Sequence, residues 1–139
     1  MRIKFTPELM GFMSVFQRIT NANLKDCFVD DNLALTFVVG TGELGKALGK
    51  KAINISKLEQ AFKKKIKIIE FHEDIKKFIR GLVYPSKIDE LDIQENVVTI
   101  QPSDTKSRGY LIGRAASNLR NYEKIVKRYF NDIEEIKIM

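Results

Sequence analysis

The sequence predicts an α+β fold in which one small unit, helix–strand–strand–helix–loop–helix–strand, is repeated in tandem. Three observations carry that expectation. A short phrase is spelled twice, sixty-four positions apart. Apolar residues switch between helical and alternating spacing in the same order in both halves. Positive charge gathers around both copies of the phrase.

The first copy reads Leu48-Gly49-Lys50-Lys51-Ala52-Ile53-Asn54-Ile55 and the second Ile112-Gly113-Arg114-Ala115-Ala116-Ser117-Asn118-Leu119. In register, Gly49 meets Gly113, Lys50 meets Arg114, Ala52 meets Ala116 and Asn54 meets Asn118. Each copy is a glycine and a cation at the mouth of a helical pattern. That arrangement suits a phosphate. Bare backbone allows close approach, N–H groups at the helix start point outward, and the helix dipole favours an anion.

Along the chain, a short extended start leads into a helix opened by Thr6-Pro7-Glu8: a capping hydroxyl, proline at the first helical position and an acid in the first turn. Leu9, Phe12, Met13, Phe16 and Ile19 form its core face, and it gives out near Asn21. Lys25 to Asp30 and Leu33 to Val39 read as strands joined at Asp30-Asp31-Asn32. Cys27 stands in the first of them as a buried structural thiol. Gly40-Thr41-Gly42 ends the pair. A short helix from Glu43 to Leu48, the glycine loop, a helix with Ile55, Leu58 and Phe62 inward, and a strand from Ile66 to Phe71 complete the unit.

The second unit repeats this order. Its helix runs from Asp74 to Leu82 through Ile75, Phe78 and Ile79, and ends before Pro85. Strands from Lys87 to Ile93 and Asn96 to Gln101 turn at Gln94-Glu95. A short helix to Ile112, the second loop, a helix with Leu119, Tyr122 and Val126 inward, and a strand from Ile133 to Ile138 close the chain. The expected domains are 1–72 and 73–139.

Composition excludes several classes. Hydrophobic content of 44% is ordinary for a globular protein, and no apolar run has the length of a membrane span. Met1-Arg2-Ile3-Lys4-Phe5 has no apolar signal region, so a cytosolic location is expected. One cysteine allows no disulfide framework and no metal cluster, and no cofactor is expected. One histidine, His72, at the joint between the units reads as structural, and the inventory does not suggest an enzyme. The net charge is +6. Eight lysines against one acid give Lys46 to Lys67 a net +7; seven basic residues against two acids give Asp104 to Phe130 +5. The rest carries −6. Both positive runs coincide with a glycine loop, which points to a polyanion.

A glycine loop between two helices, in the order αββααβ, resembles the type II KH domain, a module for single-stranded nucleic acid whose GxxG loop clamps the sugar–phosphate backbone. The tandem pair is similar to the archaeal NusA family of transcription termination/antitermination factors. The residues carrying this run through the chain: Ile19-Thr20, Lys25-Asp26-Cys27, Val38-Val39, Gly42, Gly45-Lys46-Ala47, Leu48-Gly49-Lys50, Asn54, Ile68-Ile69-Glu70-Phe71, Lys77-Phe78-Ile79-Arg80, Pro85-Ser86-Lys87-Ile88, Ile112-Gly113-Arg114 and Asn118. The chain departs from the family at the fourth loop position, where Ala52 and Ala116 replace glycine, and Ala115 makes the second loop the less cationic. Where that fourth position is already helical, a methyl group is tolerated and favours the helix. Where ligand backbone passes over it, the methyl group weakens binding.

The resemblance implies single-stranded RNA as the partner, with RNA polymerase as a second, no membrane and a monomeric chain. The loops Gly49-Lys50-Lys51-Ala52 and Gly113-Arg114-Ala115-Ala116 would hold phosphates. Lys46, Lys57, Arg108 and Arg120 would serve flanking phosphates, and Asn54 and Asn118 either contact the strand or stabilise the loops. Two modules would cover roughly eight nucleotides. The competing reading is a KH-fold module that docks on RNA polymerase or ribosomal particles with little RNA affinity of its own. KH folds also serve ribosome biogenesis and translation.

Overall fold

The computed structural model describes residues 6–139. The extended start expected over residues 1–5 lies outside them. The chain divides into two compact units, one closing at His72 and the other running from Glu73 to Met139.

In the first unit, α1 (Pro7–Thr20) starts on Thr6, whose hydroxyl accepts the Leu9 N–H at 3.2 Å, and ends on Asn21 in the left-handed conformation. β1 (Leu24–Val29) pairs antiparallel with β2 (Leu35–Val39), and β2 pairs parallel with β3 (Ile66–Glu70), so β2 is central. All five β2 residues are buried. Leu35, Phe37 and Val39 join Phe16, Cys27, Ala47, Leu58 and Ile66 in the core, with Phe16 stacked on Phe37 at 4.2 Å between ring centroids. Each large apolar side chain fully buried there contributes about 1.5–3 kcal/mol. Between β2 and β3 come α2 (Leu44–Leu48) and α3 (Ile53–Phe62). The start of α2 is pinned to the sheet: Glu70 Oε1 accepts the Leu44 N–H at 3.1 Å, while Glu70 Oε2 lies 2.7 Å from His72 Nε2.

The turn between β1 and β2 is longer than the sequence suggests. Leu33 stands in it, exposed and left-handed (φ 64°), rather than in the strand. The buried Asp30 carboxylate shapes this turn by accepting the Asn32 and Ala34 N–H groups, each at 2.9 Å.

The second unit repeats the plan. α4 (Ile75–Val83), capped by Asp74, buries Phe78, Ile79, Leu82 and Val83. β4 (Ile88–Gln94), β5 (Val97–Pro102) and β6 (Glu135–Ile138) form the same mixed sheet, with β5 central. The hairpin turns on Glu95 and Asn96, both at positive φ, one residue beyond the expected Gln94-Glu95. A two-residue turn needs that backbone to match the strand twist. α5 (Thr105–Ile112) and α6 (Ser117–Tyr129) flank the second loop. Tyr122 and Val126 are buried as expected, Leu119 is half-buried, and Ile125 joins them inside.

Candidate nucleic-acid interface

The two loops adopt one backbone conformation despite different residues. Gly49 has φ 73° and ψ −179°; Gly113 has φ 74° and ψ 178°. Lys51 (54°, 31°) and Ala115 (52°, 35°) are left-handed, and so are Ala52 (56°, 30°) and Ala116 (62°, 23°). The Ala52 N–H donates to the Gly49 carbonyl at 3.1 Å, and the Ala116 N–H to the Gly113 carbonyl at 3.3 Å. The chain therefore makes a tight left-handed turn before it enters α3 or α6.

That geometry decides a point the sequence leaves open. The fourth loop position has not yet entered the helix in either copy. Alanine there sits in a conformation that suits glycine, at a strain of about 1–2 kcal/mol.

Each glycine is required twice over. Its φ lies where L side chains are strained, and the space beside it is taken. A methyl group on Gly49 would come within 2.8 Å of Asn54 Nδ2, and one on Gly113 within 2.8 Å of Asn118 Cγ. These amides fasten the loops. Asn54 Nδ2 donates to the Ala47 carbonyl at 3.0 Å and Asn118 Nδ2 to the Tyr110 carbonyl at 2.7 Å, each reaching back to the preceding helix. Asn54 is buried, Asn118 half-buried. Of the two roles left open for them, loop stabilisation is the one built into the fold.

Lys50, Lys51 and Arg114 are exposed on the loops, Lys46 on α2 and Lys57 on α3. Arg108 is exposed on α5, with Nε donating to the Met139 carbonyl at 3.1 Å. Arg120, the remaining flanking cation expected, is exposed on α6 and already has an acidic partner. Its guanidinium meets Glu123 Oε1 at 2.8 Å, and that contact raises its pKa above the usual arginine value. Glu123 is buried and its other oxygen accepts the Ile136 N–H at 2.8 Å, tying α6 to β6. The three-residue spacing of Arg120 and Glu123 was the available sign of this pair.

α1, α4 and α5 each begin on a side-chain cap, from Thr6, Asp74 and Asp104. α3 and α6 begin on Ala52 and Ala116, with none. The helices behind the loops thus present their first turns without a side-chain acceptor, which is where an anion finds donors and a favourable dipole. Among the described residues, no group of three or more His, Cys, Asp or Glu could hold a metal ion, and no helix is long and apolar enough to cross a membrane.

Comparison with known proteins agrees with this geometry. The KH domain family model matches residues 13–84, running past His72 through α4. The probable transcription termination protein NusA of Methanocaldococcus jannaschii is 31% identical over 141 residues, covering 99% of this chain and 76% of its own. The chain belongs to the archaeal NusA family of KH-domain proteins. The NusA relative of Methanococcus vannielii is 30% identical over 100% of this chain and 81% of its own, and that of Halococcus morrhuae is 26% identical over 99% of both. Among solved structures, the crystal structure of APE1850 has a TM-score of 0.75 and 27% identity, covering 97% of this chain and all of that one. The NusA-family fold here is α+β, two tandem type II KH domains with αββααβ order and a three-stranded sheet in each.

Proposed function

We propose that this chain is an RNA-binding transcription factor of the NusA type, gripping single-stranded RNA through both glycine loops to modulate termination or antitermination. The first KH domain is 1–72 and the second 73–139. Phosphates sit on the loops against Lys50, Lys51 and Arg114, with Lys46, Lys57 and Arg108 along the flanks. Asn54 and Asn118 hold the loops in shape, and Arg120, paired to Glu123, is a further flanking cation. Two domains at four nucleotides each take roughly eight nucleotides. RNA polymerase is the second partner in this reading, in keeping with relatives that are transcription termination proteins by name.

One observation carries this reading. Two loops of unlike sequence keep the same strained turn beneath exposed cations, in front of helices that lack a side-chain cap. Strained residues held in place by the surrounding structure cluster at ligand clamps.

The test is fluorescence anisotropy of a labelled single-stranded RNA pool, with the wild type beside a Lys50→Asp/Lys51→Asp/Arg114→Asp variant of equal circular dichroism. The reading requires affinity to fall at least about tenfold, a change of about 1.4 kcal/mol. Equal binding by the folded variant would overturn it, and capture of RNA polymerase by both proteins would then favour the docking module.

A further inference from the structure

A cavity of about 720 Å³ opens in the second domain between the Pro85–Lys87 segment and α5, lined among others by Lys87, Lys106 and Tyr110. Its volume lies in the range of small-ligand sites. The walls are fixed by hydrogen bonds. The Lys87 N–H donates to Ser107 Oγ at 3.0 Å, the Ser103 N–H to the Lys87 carbonyl at 2.9 Å, and the Ser107 N–H to Asp104 Oδ1 at 2.6 Å. Lys87 and Lys106 are exposed, and both lie near enough to Asp104 to lower the pKa of its carboxyl beyond what its Ser107 hydrogen bonds do. Tyr110 shows 56% of its surface to solvent. It also lies three residues before Gly113, on the helix that leads into the second loop.

The first domain lacks all three groups. In the repeat register, Lys46 stands where Tyr110 stands and Gly42 where Lys106 stands. Asn23 stands where Lys87 stands. Its N–H meets Glu43 Oε1 at 2.8 Å, as the Lys87 N–H meets Ser107, and its carbonyl accepts the Gly40 N–H, as that of Lys87 accepts the Ser103 N–H. The scaffold is common to both domains. The aromatic ring and the two ammonium groups are additions to the second.

We propose that this cavity takes one unstacked nucleobase, stacked on Tyr110, from an RNA strand held on the second loop, with the flanking phosphate between Lys87 and Lys106. The inference rests on the RNA-binding reading above. It divides the labour between the domains. The first grips phosphates with Lys46, Lys50 and Lys51; the second, having one loop cation, adds stacking. Every base has a π-face, so the site extends the footprint with little sequence preference.

The test uses the full chain and a single-stranded RNA bearing 5-iodouridine. Irradiation should cross-link the base to Tyr110, located by mass spectrometry. Tyr110→Ala should weaken binding about 5- to 150-fold, the range for loss of one base–aromatic stack. Tyr110→Phe, which keeps the ring, should stay within about twofold of wild type, and Lys87→Ala/Lys106→Ala should weaken binding while leaving circular dichroism unchanged. Wild-type affinity in Tyr110→Ala, with binding lost in the loop variant, would overturn the cavity and spare the loops. The reverse pattern would overturn the loop reading and leave the cavity as the strand's site. No RNA binding by the wild type would overturn both.

Discussion

Replacing Ala52 by glycine should stabilise the first domain. Ala52 sits at φ 56° and ψ 30°, outside the following helix, and its methyl group is the source of strain. Relief of a left-handed alanine is worth about 1–2 kcal/mol. Glycine returns part of that, about 0.4–1 kcal/mol, by widening the unfolded ensemble. The net gain is about 0.8 kcal/mol. With a urea m-value of about 1 kcal/mol/M for a domain of this size, the midpoint should rise by about 0.8 M at constant m. Ala52→Val, which puts a β-branched side chain at the same φ, should lower it. Ala116→Gly should act likewise on the second domain, where φ is 62°. A fall in the midpoint for either glycine variant would refute this, because it would mean that the position is helical and that glycine weakens it.

Two further outcomes follow from the same geometry. Asn54→Ala should destabilise the first domain by about 1–3 kcal/mol in urea unfolding, since it strands the Ala47 carbonyl; Asn118→Ala should cost less, because water reaches that half-buried site. The Asp104 carboxyl titrates below its ordinary value because the Ser107 N–H and hydroxyl favour the charged form, so it stabilises the second domain above about pH 4 and ceases to as pH falls through the lowered pKa. Asp104→Asn keeps a helix cap but removes the charge, and should flatten the acid side of a stability–pH curve that the wild type shows sloping.

The fold was legible because its signals are local. Thr6-Pro7 opens α1, the apolar faces keep their period, and the phrase around Gly49 recurs around Gly113. What stayed hidden depends on backbone conformation or on distant partners. A glycine at position 52 would have announced a positive φ; an alanine conceals it. Leu33 reads as strand by composition, yet the Asp30 carboxylate bends the chain there through hydrogen bonds that no pattern displays. The pairing of Arg120 stayed hidden because counting charge does not show partners. Only the fold brings Glu123 against the Ile136 N–H and leaves its second oxygen for Arg120. Tyr110 has no motif of its own. It stands out when the hydrogen bonds of Asn23 and Lys87 align the two domains.

The central claim is that loop cations hold RNA phosphates, and its most direct test is the salt dependence of binding. The logarithm of the association constant should fall with the logarithm of salt concentration, with a slope of roughly −0.7 per phosphate held. Lys50→Ala/Lys51→Ala should reduce the steepness by about 1.4, and Arg114→Ala by about 0.7. Slopes unchanged from wild type in both variants would contradict the account, since the cations would then touch no phosphate.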